Sequence, residues 1–197
     1  ALRPRPEITL TTNGVGLARR AAGLKEAGLD RINVSLDSVD AAHFARITRR
    51  DRLGDVLDGL AAAKAAGLSP VKVNAVLDPV SGLDDAVNLL AYCLDHGYQL
   101  RIIEQMPLDA GHTWDRRQMV TRDEILTAVG ARWDLEPVPG RGGAPAERFL
   151  LDGGPASVGV IASVTAPFCG DCDRVRLTAT SHEASSETEI VTASCDR

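Results

Sequence analysis

Aromatic side chains are scarce, with two Trp, two Tyr and three Phe in 197 residues. So few rings argue against a protein that stacks successive bases of a single strand. Positive charge is not in excess either: 22 Lys and Arg face 27 Asp and Glu, a net charge of −5, which excludes a globally basic nucleic-acid binder. Nowhere do about eighteen apolar residues run together, and the opening ALRPRPEI has no apolar stretch ahead of a cleavage site. The expectation is a cytoplasmic protein with no membrane or nucleic-acid partner. Histidines are few, and His43, His96, His112 and His182 form no metal-binding spacing. What remains, 44% hydrophobic and 25% charged residues, suits a globular chain that buries a core and binds a small molecule.

From Glu7 to about Gln105 short period-2 runs alternate with longer 3.6-period runs, which predicts strands alternating with helices. The strand candidates are Ile8–Thr12, Ile32–Asp37, Val71–Leu77 and Leu100–Gln105. Leu17, Ala21 and Leu24 share one helical face, as do Val56, Leu60 and Ala63, and Val87, Leu90 and Leu94. Gly28, Gly67 and Gly97 follow these runs where a left-handed terminating residue is expected. Thr121 and Glu124 form a capping box for a further helix through about Gly130. Repeated βα units imply a parallel sheet, either open and doubly wound or part of a barrel, with too few strands here to close eight. Beyond Pro137 the segment PVPGRGGAP reads as a loop whose glycines make a flexible turn. Phe149–Leu151 and Ser157–Val164 read as a strand pair outside the repeat, and the stretch from Ser181 reads as a polar tail that does not pack.

Parallel strands covered on both sides are normally continuous apolar runs, whereas these alternate. Thr9, Thr11 and Asn13 oppose Ile8 and Leu10. Asn33, Ser35 and Asp37 oppose Ile32, Val34 and Leu36; Lys72 and Asn74 oppose Val71, Val73 and Ala75. Arg101 and Gln105 oppose Leu100 and Ile102, with Glu104 out of step. A face carrying Lys72 and Arg101 is not enclosed without partners, because an unpaired buried charge costs several kcal/mol or more. It is either the lumen of a half-barrel offered to an anionic ligand or a solvent-exposed sheet face.

The densest chemical signal is Pro-Phe-Cys-Gly-Asp-Cys-Asp-Arg-Val-Arg at 167–176. Cys169 and Cys172 stand in C-x-x-C spacing, which suits one zinc ion, one iron-sulfur cluster or a reversible disulfide. Arg174 and Arg176 alternate around Val175 and in a strand would leave one face together, pointing to an anionic ligand beside the cysteines; the plainer reading is a structural zinc half-site with solvated arginines. Cys93 reads as a small buried hydrophobe on its helix.

The runs Thr-Thr-Asn-Gly (11–14), Asp-Arg-Ile-Asn-Val-Ser-Leu-Asp-Ser (30–38), Val-Lys-Val-Asn-Ala-Val-Leu (71–77), Leu-Arg-Ile-Ile-Glu-Gln-Met (100–106) and Phe-Cys-Gly-Asp-Cys-Asp-Arg-Val-Arg-Leu-Thr-Ala (168–179) together resemble the GTP 3',8-cyclase family, radical S-adenosylmethionine enzymes that open molybdenum cofactor biosynthesis. The resemblance implies an incomplete parallel (β/α) barrel with its first strands missing, followed by a small β-containing, cluster-binding C-terminal segment. It implies a partial barrel over 1–106, a second-cluster and substrate region over 107–179, and a non-family tail over 180–197. It further implies a lyase in which a 4Fe-4S cluster cleaves S-adenosylmethionine and the resulting radical takes the ribose 3' hydrogen of GTP, giving 3',8-cyclo-7,8-dihydro-GTP.

By the same resemblance Thr11, Lys72, Arg101, Arg174 and Arg176 face GTP. Ser35 and Met106 match S-adenosylmethionine positions, and Cys169 and Cys172 match two ligands of a second 4Fe-4S cluster. Cyclic pyranopterin monophosphate synthase is implied as the downstream enzyme, and a homodimer as the assembly. The C-x-x-x-C-x-x-C of the first cluster does not occur in the chain, and Ser186 stands about where the third ligand of the second cluster is expected, with Cys195 further on. The expectation is a family member truncated at both ends and inactive alone. The rivals are a non-catalytic remnant that binds nucleotide weakly, or a small zinc protein using C-x-x-C.

Overall fold

The structure is a computed structural model describing residues 4–108 and 114–167. Seven strands form one sheet: β1 (Thr9–Thr12), β2 (Arg31–Ser35), β3 (Val71–Val76), β4 (Gln99–Ile103), β5 (Leu135–Pro137), β6 (Glu147–Leu151) and β7 (Ser157–Ile161). The spatial order is β1-β2-β3-β4-β7-β6-β5. Pairings from β1 through β4 to β7 are parallel, and β7–β6 and β6–β5 are antiparallel. Among the described residues β1 and β5 are the edges, so the sheet does not close. This is the incomplete barrel expected from four βα units.

The helices are α1 (Ala21–Glu26), α2 (Ala41–Thr48), α3 (Leu53–Ala65), α4 (Gly82–His96) and α5 (Arg122–Gly130). None of them is long and apolar enough to cross a membrane. Gly28, Gly67 and Gly97 have the positive φ expected where helical runs end, and Thr121 and Glu124 form both halves of their capping box. The run containing Leu17, Ala21 and Leu24 is not one helix but a 3-10 turn, Leu17–Arg19, followed by the short α1; Arg20, at φ −115°, marks the break. Helix α2 escaped the sequence reading because it is only two turns long. Asp40 caps it, accepting from His43 N at 2.7 Å.

Strand register builds the core. Ile32 pairs with Val71, Val34 with Val73, Val73 with Leu100, Ala75 with Ile102, and Ile102 with Val160. These side chains form one buried apolar layer against Val56, Leu60 and Ala63 of α3 and Leu89, Leu90 and Cys93 of α4. Cys93 is free and fully buried, and burial pushes its thiol up to about 12, as suits a packing residue. The three C-terminal strands, the expected pair β6 and β7 together with β5, lie outside the βα repeat in connectivity but extend the same sheet through the parallel β4–β7 pair. That extension carries the cationic face past Arg101.

Candidate functional site

Because side chains alternate along a strand, the register that stacks the core also aligns two rows on the opposite face. One row is Thr11, Asn33, Lys72 and Gln99. The next is Ser35, Asn74, Arg101, Gly159 and Arg148. Gly159 has no side chain, which leaves a gap between two arginines. There lies a cavity of about 440 Å³ lined by Arg31, Lys72, Arg101, Arg141 and Arg148, among others. Its far wall is the 138–146 segment. The glycine-rich turn there is no phosphate loop, but Gly140 at φ +77° and the neighbouring backbone close the cavity, a role composition did not reveal.

Electrostatics mark this cavity as crowded with positive charge, offset in part by Glu7, which pairs with Arg31 at 3.0 Å. Burial first, then the Arg101 and Arg31 guanidinium groups, push the Lys72 ammonium below its ordinary value. Burial and then Arg31 likewise disfavour charged Arg101. The Nε atoms of Arg31 and Arg101 are buried without a hydrogen-bond partner. Cations crowded in this way, with donors left over, suit an acceptor-rich polyanion.

Hydrogen bonds connect the rows. Arg101 Nη2 donates to Asn33 Oδ1 at 2.6 Å, and Asn33 Nδ2 donates to Thr11 Oγ1 at 3.2 Å. Lys72 and Arg101 therefore line one cavity, and Thr11 joins them through Asn33. Ser35 and Met106 lie outside that lining, both exposed, Ser35 closing β2 and Met106 following β4 at the C-terminal edge of the sheet. Arg31 and Arg148 were missed because β2 begins one residue, and β6 two residues, earlier than the apolar pattern suggests; the period-2 positions 31, 33 and 35 carry the signal in β2.

Glu104, out of step in sequence, is 1% exposed on the core side of β4. Its carboxylate accepts from Arg122 N at 2.8 Å, Val164 N at 2.9 Å, Thr165 N at 2.8 Å and Thr165 Oγ1 at 2.5 Å. Burial alone would raise the carboxyl, but these bonds outweigh it and hold it below the usual range. Glu104 thereby fastens the end of β4, the start of α5 and the chain leaving β7.

A second polar cluster lies between the N-termini of α2 and α4. His43 Nε2 is 3.1 Å from Asp78 Oδ2, His43 Nδ1 is 2.6 Å from Asp85 Oδ2, and Arg46 Nη2 donates to Asp78 Oδ2 at 2.6 Å. Among the described residues no group of three or more His, Cys, Asp or Glu is arranged to hold a metal ion. Cys169, Cys172, Arg174 and Arg176 lie outside the described residues, as do Ser186 and Cys195.

Comparison with known proteins divides the chain in two. Residues 1–93 match the family model of the radical SAM superfamily, and residues 98–183 match the model described as Molybdenum Cofactor Synthesis C. A GTP 3',8-cyclase of Mycobacterium sp. (strain KMS) is 71% identical over 180 residues, covering 91% of this chain and 51% of that protein. The GTP 3',8-cyclase of Mycolicibacterium smegmatis is 71% identical over 184 residues, with the same shares. The protein named GTP 3',8-cyclase 2 in Mycobacterium tuberculosis (strain CDC 1551 / Oshkosh) is 66% identical over 183 residues, 90% of this chain and 51% of that one. The chain spans about half the length of the curated relatives it matches.

Proposed function

The chain belongs to the GTP 3',8-cyclase family, and from that premise we propose that its polar sheet face binds GTP for the radical step that opens molybdenum cofactor biosynthesis. The observation that carries this reading is the cavity that gathers Lys72, Arg101, Arg31 and Arg148: Glu7 pairs with Arg31 at 3.0 Å, yet burial and the neighbouring guanidinium groups still push Lys72 and Arg101 below their ordinary values. The triphosphate occupies that end of the face. Lys72 acts as a point charge, Arg101 offers the N–H groups that Asn33 does not use, and the Thr11 hydroxyl donates toward the sugar. Ribose and base then extend along the face toward the C-terminal edge.

At that edge Ser35 and Met106 receive S-adenosylmethionine. The local chemistry fits: Asn74, beside Ser35 in register, holds a buried Oδ1 with no hydrogen-bond partner, an acceptor suited to the α-ammonium group. When bound with a reduced 4Fe-4S cluster, S-adenosylmethionine supplies the hydrogen-abstracting chemistry of the family. This chain's part is to hold the ribose against it and exclude water. Cys169 and Cys172 are the proposed ligands of a second cluster, with Arg174 and Arg176 beside the nucleotide. Cyclic pyranopterin monophosphate synthase is the proposed recipient of the product.

Titration calorimetry of the chain with GTP and with guanosine tests the reading. GTP binding that weakens at least tenfold in Lys72→Ala, with guanosine binding far more weakly than GTP, is expected. Equal affinity for GTP and guanosine, or no effect of Lys72→Ala, contradicts it.

A further inference from the structure

We propose that Asn33 is a positioning residue that sets the hydrogen-bond polarity of the nucleotide face, an inference that rests on reading this face as the GTP site. Asn33 belongs to β2 and Arg101 to β4, so their bond passes over β3, which lies between them. Arginine carries five N–H donors and no acceptor, so the amide atom 2.6 Å from Arg101 Nη2 is the oxygen. The amide orientation is thereby fixed, and Nδ2 is turned toward β1, where it donates to Thr11 Oγ1 at 3.2 Å and reaches Thr9 Oγ1 at 3.5 Å.

Two consequences follow from that orientation. The Thr11 oxygen is engaged as an acceptor from Asn33, which leaves its hydrogen to be donated elsewhere. Arg101 is anchored at one terminal nitrogen and keeps its buried Nε and its other N–H groups for a ligand. Lys72 and Arg101 then present donors only, and Thr11 a donor beside one remaining lone pair, so the face favours a ligand that accepts at all three.

Neither alanine nor aspartate at this position does the same. Alanine frees Arg101 from its anchor. Aspartate keeps an acceptor for Arg101 but draws the Thr11 hydrogen inward and adds a negative charge where phosphate is to bind, so donor polarity is lost at one end and charge at the other.

The test is a double-mutant cycle of Asn33→Ala and Arg101→Ala in the 197-residue chain, with GTP and inorganic triphosphate as titrants and thermal melting alongside. Asn33→Ala is expected to weaken both ligands about tenfold in the native background and by less than about twofold when Arg101 is already alanine. Asn33→Asp, folded by its melting curve, is expected to abolish triphosphate binding. Equal losses in the two backgrounds would mean that Asn33 acts through the fold at large. Native affinity in Asn33→Ala, or triphosphate binding retained in Asn33→Asp, likewise overturns the proposal. If the native chain binds neither titrant, the GTP reading itself fails, and that result is distinct from the others.

Discussion

Gly159 stands directly opposite Arg101 on the neighbouring strand, and a Cβ at that glycine would lie 3.1 Å from Arg101 Cγ and 3.3 Å from Ala146 Cβ. The missing side chain is what makes room for the arginine stem and for the cavity beyond it. Gly159→Val is therefore expected to push Arg101 off its Asn33 anchor and lower GTP affinity about tenfold. Valine suits a strand, so the melting temperature should stay within a few degrees of native. Calorimetry and melting of the one variant check both halves; native affinity would show that the gap is not needed.

Lys72 carries the clearest conflict between folding and binding. Its ammonium titrates below the ordinary value of 10.5, so the fold disfavours the charged form. That penalty is present at neutral pH and is relieved as pH rises from the lowered value toward 10.5. Lys72→Met should thus melt at or above the native temperature at pH 7 while binding GTP at least tenfold more weakly. A lower melting temperature would show that Lys72 stabilises the empty fold. A bound polyanion restores the proton, so GTP binding at alkaline pH should take up protons, detectable as a buffer-dependent enthalpy.

The alternation of Thr11, Asn33, Ser35, Lys72 and Arg101 against an apolar face was readable without coordinates, because period-2 spacing and the cost of burying charge are local facts. What alternation does not convey is register. That Arg101 falls beside Gly159 and Arg148, and that Asn33 reaches over β3, depends on pairings between strands distant in sequence. The wall at 138–146 was hidden for a similar reason: its composition says turn, and only the β5–β6 pairing brings it over Lys72. Glu104 was visible as an exception, but its partners at 122, 164 and 165 were not.

Glu104 predicts an acid limit. Because its carboxyl is held below the ordinary 4.5, it contributes stability that is complete above that value and lost as pH falls through the lowered one. Glu104→Gln replaces one of two acceptor oxygens with a donor facing amide N–H groups and should cost about 2–3 kcal/mol at pH 7. The difference between native and variant should shrink on acidification below about pH 4. Urea unfolding at both pH values checks this, and a difference independent of pH would contradict it.

The clamp between α2 and α4 is a stability element. His43→Leu leaves Asp85, only 4% exposed, without its 2.6 Å partner and should cost about 3 kcal/mol. Asp85→Asn added to that variant should recover part of the loss, since the orphaned charge is gone. Denaturant unfolding of the single and double variants decides it; no recovery would show that His43 acts by packing alone.

The central claim concerns where the triphosphate sits, and a crystal structure of the chain with GTP tests it most directly. The account requires phosphate density within hydrogen-bond or ion-pair distance of Lys72 and Arg101, in the cavity bordered by Arg31 and Arg148, with the ribose directed toward Ser35. Phosphates seated elsewhere, or a nucleotide reversed so that guanine fills that cavity, would contradict it.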